Sequence, residues 1–106
     1  MAWSLLGLAG ILEIAFAFFM KGSDGFTRLT PGLLAAATGL SSVFLLSLSL
    51  RTLPVGTAYA VWTGIGAAGT AILGMAVLGD STTLLRIMCI VVILGGVIGL
   101  KLVSGN

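Results

Sequence analysis

Four long apolar stretches, at about 2–20, 32–50, 55–78 and 84–103, take up most of the chain, and the charged residues gather mainly in and beside the short intervals between them. At about 1.5 Å of rise per residue, each stretch is long enough as a helix to cross a hydrocarbon core roughly 30 Å thick. Barrel strands would be about half as long and would alternate in polarity. The stretches do neither. The pattern predicts an all-α integral membrane protein, with residues 1–106 forming one domain of four transmembrane helices. The intervals 21–31, 51–54 and 79–83 are too short to hold a further domain. Pro31 and Pro54 are expected where helices begin, since the first turn tolerates a missing N–H.

Composition strengthens this reading. The chain has 106 residues, of which 58% are hydrophobic and 8% charged, and its mean hydropathy is +1.25. A soluble domain carries about 25% charged residues, so this chain lacks the polar surface to face water on all sides. The first stretch is not expected to be a cleaved signal, because it has no basic leader and carries Glu13 where a signal would be purely apolar. Histidine is absent and Cys89 is the only cysteine. That excludes an intrachain disulfide and leaves too few ligands for a zinc or iron–sulfur site, so no metal or other cofactor is expected. Cys89 reads as a small packing residue. The five basic residues stand singly near span ends, a topology pattern and not a nucleic-acid patch.

Glu13 changes the picture most. It is the one acid inside an apolar stretch; Asp24 and Asp80 fall in the intervals. An ionisable group near the middle of a span costs several kcal/mol unless it is paired, hydrated or protonated, and it marks a site for protons or cations. Its depth argues against simple snorkelling. Ser42 lies at a similar depth in the second stretch. Tyr59, Trp62 and Thr63 have i, i+3, i+4 spacing and share one helix face. A tyrosine hydroxyl can donate to a carboxylate, and an indole offers both an N–H and a π surface for a cation. The alternative for Tyr59 and Trp62 is an aromatic belt at the membrane interface.

Glycine carries two further signals. The segment 64–69 matches G-x-G-x-x-G, but it lies mid-span, follows no strand and has no downstream acidic partner, so it is not a dinucleotide fingerprint. Gly64 and Gly66 are expected instead to permit close packing and a bend in the third helix. Gly95 and Gly99 form a G-x-x-x-G, suited to close approach of two helices within the chain or between two chains. Four helices leave little room to enclose a polar path, so self-association is expected. With four spans, one side of the membrane holds Arg51 and Lys101 and the other Lys21, Arg28 and Arg86. Two against three fixes no orientation, and a chain that inserts both ways can form an antiparallel pair.

Over nearly its whole length the chain resembles the small multidrug resistance family of four-helix, proton-coupled exporters. The residues that carry the resemblance are Glu13, the run Gly25-Phe26-Thr27-Arg28, and the long run from Leu53 through Pro54, Tyr59, Trp62 and Thr63 to Gly66. Trp62-Thr63-Gly64-Ile65-Gly66 and Ile98-Gly99-Leu100-Lys101 are similar to the guanidinium exporters of the family rather than to its polyaromatic-cation exporters. The resemblance implies a multi-pass protein of the bacterial inner (plasma) membrane. It also implies an antiparallel, dual-topology homodimer in which two Glu13 carboxylates bind guanidinium-like cations or protons. Ser42, Tyr59 and Trp62 would orient or line that site, with Phe16 and Thr63 beside it. Guanidinium exporters usually carry tryptophan at the place of Phe16. Its loss leaves room for broader export of quaternary ammonium or other hydrophobic cations, or for pairing with a homologous subunit. A non-transporting membrane partner, with Glu13 paired to a basic residue of another chain, is the rival outside transport.

Overall fold

The computed structural model describes residues 1–103 and contains four α-helices: α1 (Ala2–Gly22), α2 (Leu29–Ser49), α3 (Val55–Val77) and α4 (Leu84–Val103). All four are long and apolar enough to cross a membrane. Each spanning backbone satisfies its own hydrogen bonds, which is what a medium without water demands.

The helix ends differ slightly from the hydropathy boundaries. α1 runs on through Lys21 to Gly22, and α2 opens at Leu29, so Pro31 is the third residue of that helix and not its first. The first turn has no intrahelical use for its N–H groups, and Pro31 is accommodated there. Pro54 is the N-cap of α3. The remaining link is folded around Ser23. Its buried hydroxyl donates to the Met20 carbonyl at 2.7 Å and accepts from the Phe26 N–H at 3.0 Å, while its carbonyl accepts from the N–H groups of Thr27 and Arg28. Asp24, Gly25 and Phe26 all have positive φ (50°, 71° and 66°), a reversal that holds two non-glycine residues in the left-handed region.

Short connections do not close these helices into a bundle. α1 lies against both α2 and α3, α2 and α3 barely meet, and the backbone of α4 approaches only that of α3. The result is a slab of 42 × 34 × 17 Å. Its core, built from Leu6, Ala9, Leu46, Leu53, Ala58 and Val61, occupies the end nearest the α2–α3 turn. Beyond that core α1 still touches its neighbours, Phe16 against Gly39 of α2 and Glu13 and Ile14 against Gly66 and Gly69 of α3, with clefts left between these points. α4 buries a single residue, Ile90. The ammonium of Lys101 lies 4.8 Å from the centroid of the Trp3 ring, a cation–π contact that links the far end of α4 to α1.

Candidate functional site

Glu13 opens onto both sides of α1. One cleft of about 480 Å³ lies between α1 and α2 and is lined by Glu13, Phe16, Phe26, Ala35, Ala36, Gly39, Leu40, Val43 and Trp62. A second, of about 510 Å³, lies between α1 and α3, and takes in Glu13, Phe16, Thr63, Gly66, Thr70, Asp80 and Arg86 among others. Glu13 and Phe16 are common to the two. In the first cleft, among the described residues, Glu13 is the only charged group. A cation there meets one carboxylate and otherwise π faces and aliphatic walls.

Glycines make this arrangement sterically possible. A Cβ built on Gly66 would come within 2.7 Å of Glu13 Cγ, and one on Gly39 within 2.8 Å of Phe16 Cδ1. Gly66 is therefore where α3 lets the glutamate stem pass, and Gly39 is where α2 receives the phenyl ring. Gly64 faces the other way: its Cβ would meet Val97 Cγ2 at 2.5 Å, so it seats α4. α3 continues as an α-helix through both positions. Gly95 and Gly99 have no atom within 4 Å of an added Cβ. They stand outside the clefts, on α4.

Ser42 is fully buried behind the site. Its hydroxyl donates to the Ala9 carbonyl of α1 at 2.6 Å and accepts from the indole Nε1 of Trp62 at 2.9 Å. One hydroxyl thus joins three helices and turns the Trp62 ring edge-on to α2. An interhelical side-chain bond in a membrane protein contributes about 0.6 kcal/mol on average. That is about one RT, too little to hold the slab together, and it biases the Trp62 ring toward this orientation alongside its packing. Tyr59 packs on the same ring, with centroids 5.4 Å apart and planes at 57°. It is 57% exposed, so its hydroxyl is accessible from outside this chain. Thr63 is exposed on the second cleft.

Glu13, Phe16 and Trp62 thus share one cleft, Thr63 and Gly66 join Glu13 in the other, and Ser42 and Tyr59 reach the site through Trp62. Five contributors escaped the sequence analysis. Gly39 and the Ala9 carbonyl act through backbone geometry and leave no polarity signal. Phe26 stood only as a member of a loop motif, and its role as a wall depends on the reversal at 24–26. Asp80 and Arg86 read as interval and span-end charges, although Gly79 (φ 73°) turns the chain so that Asp80 faces back along α3.

The sequence pattern of the family described as Small Multidrug Resistance protein matches residues 1–93. A protein of Yersinia pseudotuberculosis serotype I (strain IP32953) named guanidinium exporter is 55% identical over 104 residues, covering 98% of this chain and 100% of that protein. The guanidinium exporter of Citrobacter freundii is 51% identical over 102 residues, covering 96% of this chain and 97% of its own length. That of Proteus vulgaris is 48% identical over 104 residues, with 98% and 100% covered. These relatives are exporters and not enzymes. A multi-pass membrane protein that matches the family pattern over residues 1–93, and such relatives over nearly its full length, belongs to the small multidrug resistance family.

Proposed function

We propose that this chain is a proton-coupled antiporter that exports guanidinium or substituted guanidino cations across the bacterial inner membrane, working as an antiparallel homodimer. The observation that carries the reading is the sole intramembrane acid, Glu13, exposed on two clefts walled by aromatic and small residues. A planar guanidinium presents parallel N–H donors that match a carboxylate in bidentate fashion. The π faces of Phe16 and Trp62 suit its flat, weakly hydrated surface. Guanidinium export by relatives about half identical over full length supports the substrate class.

Coupling follows from competition. A Glu13 carboxylate that holds a proton cannot hold the cation, and one that holds the cation excludes the proton. Alternate opening of the shared site to the two sides then exchanges one for the other without any covalent step. Ser42 fixes Trp62, and Trp62 with Tyr59 confines the substrate over Glu13. Thr63 and Gly66 line the path on the α3 side, and Gly95 and Gly99 supply the contact between the fourth helices of the two chains. One observation favours breadth of substrate: the first cleft has Phe16 in place of an indole donor, so small quaternary ammonium ions are expected as weaker substrates.

The test is Glu13→Gln, which keeps the side-chain volume and removes the titration. In proteoliposomes loaded with a pH-sensitive dye, the wild type moves protons when guanidinium is added, and the variant does not. Wild-type proton movement by Glu13→Gln would refute the assignment. A wild-type protein that moves no protons in response to any cation would instead be a partner subunit.

A further inference from the structure

The second cleft runs from Glu13 to another carboxylate. α3 presents to it a stripe of small and hydroxyl side chains, with Thr63, Gly66 and Thr70 on one face and Gly74 following at the end of the helix. From Gly66, which touches Glu13, to Gly74, which touches Asp80, is eight residues, or about 12 Å of helix. Asp80 is held at that end by its backbone. The N–H groups of Leu78 and Asp80 both donate to the Gly74 carbonyl, at 2.9 and 3.1 Å, and Gly79 takes the positive φ this turn needs. The carboxylate folds over Gly74, where any Cβ would collide with it. It therefore lines the cleft instead of pointing away from the protein.

Asp80 already holds a guanidinium group, that of Arg86. The pair is loose: Arg86 Nη2 and Asp80 Oδ2 are 3.8 Å apart, and the two side chains are 41% and 45% exposed. At that distance there is no direct hydrogen bond, and a half-exposed pair of this kind is weakly held. Arg86 also lines the cleft, so the competing side chain does not have to leave the site to make way.

We propose that Asp80 is an outer cation site, at which guanidinium-class substrates displace the Arg86 side chain and wait before transfer along the Thr70–Thr63 face to Glu13. The inference rests on the guanidinium reading given above and adds a second binding station to it. A self-supplied guanidinium beside the same carboxylate sets the competition: a planar cation displaces it by making the direct bidentate hydrogen bonds that Arg86, at 3.8 Å, does not make. The station therefore favours guanidino cations over rounder ammonium ions, independently of the walls around Glu13.

The experiment is a concentration series of guanidinium currents on solid-supported membranes at low ionic strength, with wild type, Asp80→Asn, Arg86→Gln, the double variant and Asp24→Asn. Asp24 removes the same charge from the same end of the molecule but lines neither cleft. Asp80→Asn should raise the KM for guanidinium, and Arg86→Gln should lower it by removing the competitor, each by roughly two- to fivefold, as expected for a half-exposed ion pair. The double variant should match Asp80→Asn, because Arg86 has nothing to compete for once the carboxylate is gone. Asp24→Asn should keep the wild-type KM. A pair that only braces the loop gives no fall in KM for Arg86→Gln, and that result overturns the proposal, as does an equal rise in KM from Asp24→Asn and Asp80→Asn. Should Asp80→Asn fail to fold, the Arg86→Gln KM decides alone. A wild-type protein with no guanidinium current removes the underlying substrate reading, whereas normal wild-type current with unmoved KM values removes the outer site only.

Discussion

Phe16 carries the sharpest question at the scale of single residues. Its ring is received by Gly39 and lines both clefts beside Glu13, yet it has no hydrogen to give the carboxylate. Phe16→Trp would add an indole N–H at this place, and Gly39 leaves α2 without a side chain where the larger ring must settle. One hydrogen bond contributes about 0.5–1.5 kcal/mol, so the ratio of tetramethylammonium to guanidinium currents should fall roughly two- to tenfold in Phe16→Trp. An unchanged ratio would show that selectivity is set elsewhere in the protein. Residues of this kind were legible in the sequence to the extent that polarity betrays them. Glu13, Ser42 and Trp62 stand out because each puts a polar atom in an apolar run, and spacing alone put Tyr59 beside Trp62. The partner of Ser42 was not legible. It is the main-chain carbonyl of Ala9, and every residue has one.

Helix existence followed directly from hydropathy, because a run of about 20 apolar residues has few other stable forms in a membrane. Helix ends and helix neighbours did not. α2 begins at Leu29 because the loop folds around Ser23, a three-dimensional cause that no window average contains. Which helices touch is decided by where small residues allow approach. Gly10 is the clearest case on α1: a Cβ there would lie 2.5 Å from Ile65 Cγ2 and 2.9 Å from Ile65 Cβ. A β-branched side chain on a helix has little rotamer freedom to withdraw, so the helices themselves must separate. Gly10→Ala is expected to lower stability by about 1–3 kcal/mol, the usual cost of overpacking. Gly7→Ala, one turn earlier with nothing within 4 Å, should be close to neutral. Unfolding of the purified protein in mixed detergent, followed by circular dichroism as the dodecyl sulfate fraction rises, would separate the two. Equal behaviour would mean that α1 and α3 are not held at Gly10.

A single chain of this shape leaves most of its apolar surface to something else. The slab is 17 Å thick, the clefts on either side of Glu13 are open, and α4 leaves most of its side chains exposed, with Gly95 on the open face while Val97 and Leu100 pack inward. Lipid can cover such faces, but lipid supplies no second wall for a polar cleft. A second copy does. The distribution of basic residues bears on how such a copy would insert. Arg51 and Lys101 lie at one end of the molecule, with Lys21, Arg28 and Arg86 at the other. Two against three is nearly even, and the rule counts Lys and Arg whatever acids stand beside them. Neither end then commands the cytoplasmic side, and insertion in both orientations is the proposed outcome. Two identical chains in opposite orientation make inward-open and outward-open forms the same structure with the subunit roles exchanged, equal in energy when no gradient is applied. The check is a single cysteine at the exposed position Asp24, in a Cys89→Ala background, treated with a membrane-impermeant maleimide on intact and then opened spheroplasts. About half of the protein should label from outside, and the remainder only after opening. Complete labelling at the first step, or none, would mean a single orientation, and the pair would then have to be parallel or completed by a differently oriented homologous chain.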